Sequence, residues 1–315
     1  MNASDVLNGI TKAKRGQVET IRYVLEHDEQ LGQKMRWCGG WLHLREWIDT
    51  GESRLVNANF CKRPLVCLAC AVRRAGKLVF GYAEKLEQLE KEFPKLKRVH
   101  ITLTVKNGPD LEERFDHVAS AWTSMTAAAR KAKSGSERHQ TIEWNKVKGS
   151  VRAYEVTRAK NGEWHPHMHV LALVDEWIDQ EKFSEEWNRF TGDSFIVGVR
   201  KCTDGIMPAL LETVKYSAKF SDLKPADILH VHQTLQGKRL VDPSGILRGV
   251  NVGDLDEDSL EGLSGPYRDY IARWLEHEMA YSMSAIPSIP AHLRKLTHTS
   301  GTPTDALRDP GRELV

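Results

Sequence analysis

The stretch SVRAYEVTRAKNGEWHPHMHVLALV, residues 150–174, decides how this chain reads. Two runs of strand character, 150–158 and 165–174, flank Lys160, Asn161 and Gly162, a turn-forming trio, so the segment is expected to be an antiparallel hairpin. The second run begins with His165, His167 and His169 at alternate positions and continues into apolar residues 170–174. Side chains two apart on a strand share a face, so His167 and His169 point the same way, with His165 a further member. Two neutral imidazoles held at strand spacing suit a divalent metal. Glu155 is the only carboxylate on the first strand. A three-residue loop at 160–162 places it opposite His167. A two-residue loop at 161–162 turns it to the other side of the sheet, because a slip of one residue reverses every side chain.

Outward from the hairpin, Val99, Ile101, Leu103 and Val105 alternate with His100, Thr102 and Thr104, which gives a strand with one buried face. Helices are expected over 110–133, 179–190 and 207–220, and a strand over 194–200. The order β-α-β-β-α-β-α is similar to a ferredoxin-like split β-α-β unit and points to an α+β fold rather than a doubly wound one. Residues 1–37 form a charged, partly helical lead-in. Residues 38–70 look loop-rich, and apolar periodicity over 72–89 gives a helix ending before Pro94. Beyond Pro225 the pattern weakens: residues 237–250 suggest a short strand pair, 266–283 a terminal helix and 299–315 a disordered tail. The expected units are therefore 1–37, 38–94 with the cysteines and their helix, 95–225 as the catalytic block, 226–298 as an extension, and 299–315.

A formal charge of +2 does not by itself announce a nucleic-acid partner. Its distribution says more, with lysines and arginines crowded over 130–160 and acids gathered at Asp254, Asp256, Glu257, Asp258 and Glu261. No apolar run reaches the ~18 residues of a membrane span, and the first ten residues lack a secretory pattern, so no membrane partner and a cytoplasmic location are expected.

The segment LLETVKYSAKF, residues 210–220, puts Glu212, Tyr216 and Lys219 on one face of the expected helix. A phenol, with an ordinary pKa near 10, becomes a nucleophile at neutral pH only with help, which Lys219 as a cation and Glu212 as a proton acceptor could give.

Four segments, HITLTVKN at 100–107, YEVTRAKNGEWHPHMHVL at 154–171, ETVKYSAK at 212–219 and GKRLVDPSGILRG at 237–249, resemble in order and spacing the motifs of the Rep initiators of rolling-circle plasmids, members of the HUH endonuclease superfamily. The resemblance runs from about Cys38 to Gly249 and implies a central antiparallel sheet with flanking helices, in agreement with the element order. It implies that His167 and His169, with Glu155, bind Mg²⁺ or Mn²⁺, that Tyr216 is the nucleophile that nicks one strand and keeps the 5′ phosphate, and that Glu212 activates the water ending a round. It further implies a plasmid-encoded protein of a bacterial or archaeal host, acting on single-stranded and origin DNA with a host helicase and polymerase. The rivals are a transposase or relaxase of the same superfamily, a non-catalytic origin-binding protein, and a hydrolase using the histidines alone.

Cys38, Cys61, Cys67 and Cys70 precede this block, and the spacing Cys67-x-x-Cys70 suits a structural Zn²⁺ knuckle, with His43 a possible substitute ligand. Lys62, Arg63, Arg73 and Arg74 around it, and Arg158 on the hairpin, are candidate DNA-binding residues.

Overall fold

The structure, a computed structural model, describes residues 3–135, 142–194, 196–214 and 220–286. Helices α1 (Ala3–Gly16), α2 (Val18–His27) and α3 (Glu29–Trp37) lead into strands β1 (Trp41–Trp47) and β2 (Ser53–Ala58) and the long helix α4 (Leu68–Glu92). Then follow β3 (Lys97–Thr104), α5 (Leu111–Lys133), β4 (Val147–Arg158), β5 (Trp164–Val174), α6 (Gln180–Thr191), β6 (Val197–Lys201) and α7 (Ile206–Val214). The described chain ends with α8 (Pro225–Leu235), β7 (Val241–Gly245), β8 (Tyr267–Leu275) and β9 (Ala280–Ala285). Local signals explain several boundaries. Asp110 and Asp179 cap α5 and α6 by accepting hydrogen bonds from the first-turn amides of Glu113, and of Glu181 and Lys182. Gly192, at φ 71°, stops α6.

The central sheet has the order β6-β3-β5-β4-β7, with every neighbouring pair antiparallel. Strands β3 and β4 therefore run the same way, joined through α5, with β5 between them. Strands β5 and β6 repeat the pattern through α6, with β3 between them. This is the split β-α-β arrangement anticipated from the element order. The two-residue period of β5 sorts its side chains onto two faces. Met168, Val170, Ala172 and Val174 join the cluster that includes Phe115 of α5 and Trp187 of α6. Leu171 and Leu173 join Leu78 and Leu86 of α4 and Ala209 and Leu210 of α7. The histidines, odd-numbered, share this second face.

A second sheet, β2-β1-β8-β9, draws on both ends of the described chain, since β1 pairs with β8 from Trp41–Arg273 to Trp47–Tyr267. The expectation of a helix over 266–283 is thus corrected. Tyr270, Ile271, Trp274 and Leu275 have helix-like spacing, but as aromatic and branched residues they suit a strand flanked by β1 and β9. The 38–70 region is likewise less irregular than expected, because it holds β1 and β2. Of the strand pair expected over 237–250 only β7 forms, and its partner is β4. Helix α8, unforeseen, opens with Pro225 at its first turn. The proposed tail, 299–315, lies outside the described residues.

Candidate functional site

Hairpin register sets the site. Ala159 donates its amide to the Glu163 carbonyl at 2.9 Å, and Gly162 takes the φ of 82° that the turn needs. The loop is therefore the three-residue alternative, and Glu155 stands opposite His167, with Ala153 opposite His169. Glu155 Oε2 lies 2.9 Å from His169 Nε2 and 3.4 Å from His167 Nε2. Burial of Glu155 works against its charge, but the hydrogen bonds and charge of His167 and then His169 outweigh it and hold the carboxyl well below the usual range. Bonds of about 2.1 Å at right angles place ligand atoms about 3 Å apart. The donor set of one carboxylate and two imidazoles thus fits a small divalent cation with positions left for water or substrate.

Neighbouring side chains fix this trio. Thr102 Oγ1 is 3.5 Å from His169 Nδ1, and the His100 ring is 5.4 Å from that of His169, centroid to centroid. His165 Nδ1 is 2.6 Å from Asn107 Oδ1, and His165 falls outside the three-donor group. Glu212 on α7 is ion-paired with Arg200 of β6 and lies 4.0 Å from His100 Nε2. It thus approaches the same sheet face without joining the trio. Tyr216 and Lys219 lie outside the described residues. His100, Thr102, Asn107 and Arg200 were not singled out from sequence. The first two were legible as the polar face of β3, but their pairing with β5 was not.

The cysteines form a second cluster. All four Sγ atoms lie within 4.8 Å of one another, and Cys38–Cys70, Cys61–Cys70 and Cys67–Cys38 are each 3.5 Å apart. Cys67 is the residue before α4 and Cys70 sits in its first turn, so the helix start presents both thiols together. His43 is not a substitute ligand, because it points to Asp269, 3.5 Å away. Lys14 of α1 donates to the Cys38 carbonyl at 2.7 Å, and the Tyr281 hydroxyl donates to that of Gly39. Burial lowers the Lys14 pKa, against the raising pull of the nearby thiol groups.

The basic residues near this cluster divide. Lys62 is 2.9 Å from both Asp254 and Asp256, and Arg73 binds Asp258 at 2.5 Å and the Leu255 carbonyl at 3.0 Å. The acidic run foreseen at 254–261 is thus folded over them. Arg158 stacks 3.7 Å from the Trp164 ring centre and pairs with Asp227 at 2.8 Å. Arg63 and Arg74 are exposed.

Comparison with known proteins agrees with the family resemblance. Residues 52–264 match a family described as Replication protein. "Protein rep" of Streptococcus pneumoniae serotype 2 is 30% identical over 210 residues, covering 62% of each chain. The match thus spans less than two thirds of that relative. Proteins of the same name from Lentilactobacillus hilgardii and Lactiplantibacillus plantarum are 25% identical over 274 residues and 26% over 302, covering 74% and 82% of this chain and 82% and 90% of theirs. No solved structure matches. No helix among the described residues is long and apolar enough to cross a membrane.

Proposed function

We propose, from the premise that this chain belongs to the replication protein family, that it initiates rolling-circle replication of a plasmid by nicking and rejoining one strand at the origin. The observation that carries the reading is the meeting of Glu155, His167 and His169 on the sheet face against which α7 packs. Tyr216 follows Val214, the last residue of α7, by two positions.

Each residue has a role in this reading. Glu155, His167 and His169 hold Mg²⁺ or Mn²⁺, which offsets the charge that builds on the scissile phosphate and the departing oxygen. The Tyr216 oxygen bonds to phosphorus and loses its proton, the bond to the 3′ oxygen breaks, and that oxygen becomes a hydroxyl. The product is a 5′ phosphotyrosine and a free 3′ end for a polymerase, and attack by that hydroxyl reverses the step. Lys219 favours the phenolate. Glu212, placed by Arg200, takes the proton from the water that ends a round. The four cysteines hold a structural Zn²⁺, since their spacing approaches the edge of a thiolate tetrahedron. Origin DNA is the partner, with a host helicase and polymerase following in the cytoplasm.

The test is to incubate the full chain with Mn²⁺ and single-stranded DNA carrying the plasmid origin, then resolve covalent adducts under denaturing conditions. Wild type should form one and Tyr216→Phe none. An adduct in the variant would reject the assigned nucleophile.

A further inference from the structure

A cavity of about 200 Å³ opens between the cysteine-bearing segment, α4, the end of α7 and the end of α8, apart from the histidine trio. Leu65, Ala75, Leu78, Val214 and Leu235 make apolar walls, and Lys62, Arg63, Arg74 and Lys238 add cations. Two of these are already neutralised, Lys62 by Asp254 and Asp256, and Lys238 by Glu112 and Asp116. The side chains of Arg63 and Arg74 have neither an ion-pair nor a hydrogen-bond partner among the described residues. The acidic segment therefore satisfies Lys62 and Arg73 and leaves these two guanidinium groups for something else.

Deeper in, His232 is only 7% exposed, and its Nδ1 is buried without a hydrogen-bond partner. Nδ1 has almost no accessible surface, so a ligand reaches it only if the ring turns, and pairing it would recover the roughly 1–3 kcal/mol that an unpaired buried polar atom costs. The ligand these walls fit carries an anionic group for the arginines, an apolar face for the leucines, and a hydrogen-bonding edge for the imidazole. A nucleotide has all three. Val214, the last described residue of α7, forms part of the wall.

We propose that this cavity is a single-nucleotide subsite for the strand to be cut, with the two phosphates that flank the nucleotide on Arg63 and Arg74 respectively and its base against the apolar wall beside His232. The proposal rests on the nicking reading for the identity of the strand. Each phosphate contact to a single strand adds about 0.7 to the slope of log K against log salt, which is about five-fold in affinity near 0.1 M salt.

The test is fluorescence anisotropy with the full chain and a labelled oligothymidylate of about twenty residues, titrated between about 50 and 200 mM salt. Arg63→Gln and Arg74→Gln should each weaken binding about five-fold and flatten the slope by about 0.7, while Arg74→Lys keeps the slope. Ala75→Phe, which fills the cavity, should weaken the oligothymidylate but not an abasic strand of equal charge. Unchanged affinity and slope in both glutamine variants would overturn the subsite, and so would equal weakening of both strands by Ala75→Phe. The adduct assay separates the two readings. Absence of a wild-type adduct with altered salt slopes removes the nicking step and leaves the subsite, whereas an adduct with unaltered slopes removes the subsite alone.

Discussion

Stripping the cysteine cluster of the zinc proposed for it should loosen the sheet that joins the two ends of the described chain. Three Sγ separations are 3.5 Å, and a zinc tetrathiolate with bonds of about 2.3 Å needs edges of about 3.8 Å. These three edges need lengthen by only a few tenths of an ångström on binding, so little binding free energy is lost to rearrangement along them. Structural zinc contributes about 10–16 kcal/mol in small domains, as much as the whole stability of an ordinary one. The ligands sit at the entry to β1, after β2 and at the start of α4, so β1 loses an anchor, and β8 with it. If only about 5 kcal/mol of this reaches the folded state, Tm should fall by about 10–20 °C. Metal analysis of the reduced protein should give one zinc per chain. Melting curves with and without a tight chelator should show the drop, and Cys70→Ser should reproduce it. A metal-free, reduced protein that melts with the zinc-loaded form, together with a silent Cys70→Ser, would refute the zinc assignment.

Asp269 of β8 offers a pH test of the same sheet. Burial raises its pKa, but the hydrogen bonds and charge of His43 and Arg45 pull it down to about 2. A depressed folded pKa gives stability that is present above the unfolded value near 4 and lost as pH falls toward 2, so Asp269→Asn should cost about 2 kcal/mol at neutral pH and almost nothing near pH 2, by urea unfolding. Glu155→Gln keeps the shape and removes the charge, and a Mn²⁺ titration followed by electron paramagnetic resonance should show affinity reduced at least about ten-fold. An unchanged affinity would remove Glu155 from the ligand set. Gly245 has φ 56°, and a Cβ there would collide with the Lys148 carbonyl oxygen, so Gly245→Ala should cost more than about 2 kcal/mol in a thermal melt by prising β7 from β4.

Where the sequence was informative, the signal was local. The hairpin could be read because a two-residue alternation and a Lys-Asn-Gly turn sit side by side, and the cysteines because Cys67 and Cys70 are three apart. The register could not be read, since both loop lengths satisfy the turn residues and the choice is closed by Ala159 bonding to Glu163. The β1–β8 pairing was hidden because it joins residues such as Trp41 and Arg273, and nothing in either stretch names its partner. The same holds for charge. Both the basic residues at 62–77 and the acids at 254–258 were visible as runs, yet their mutual neutralisation appears only when Lys62 meets Asp254 and Arg73 meets Asp258. A residue type can be read from a run, but its availability to a ligand depends on what the fold brings against it.

Helix α4 links the two clusters mechanically. Its 25 residues span about 37 Å. Cys67 and Cys70 fix its amino-terminal end, and Leu78 through Leu89 pack with Ala209, Leu210 and Val214 of α7 on the sheet face that carries the histidines. A packed helix of this length transmits displacement as a rod rather than absorbing it, because close-packed side chains resist compression. Movement at the cysteines would therefore bear on the surface against which α7 packs, the helix that carries Glu212 beside His100 and Arg200. The cavity lies along this route, walled by Ala75 and Leu78 of α4 and by Val214 of α7. A strand bound there as proposed would bear on α4 and α7 together, the two helices that pack on the sheet face carrying the histidines.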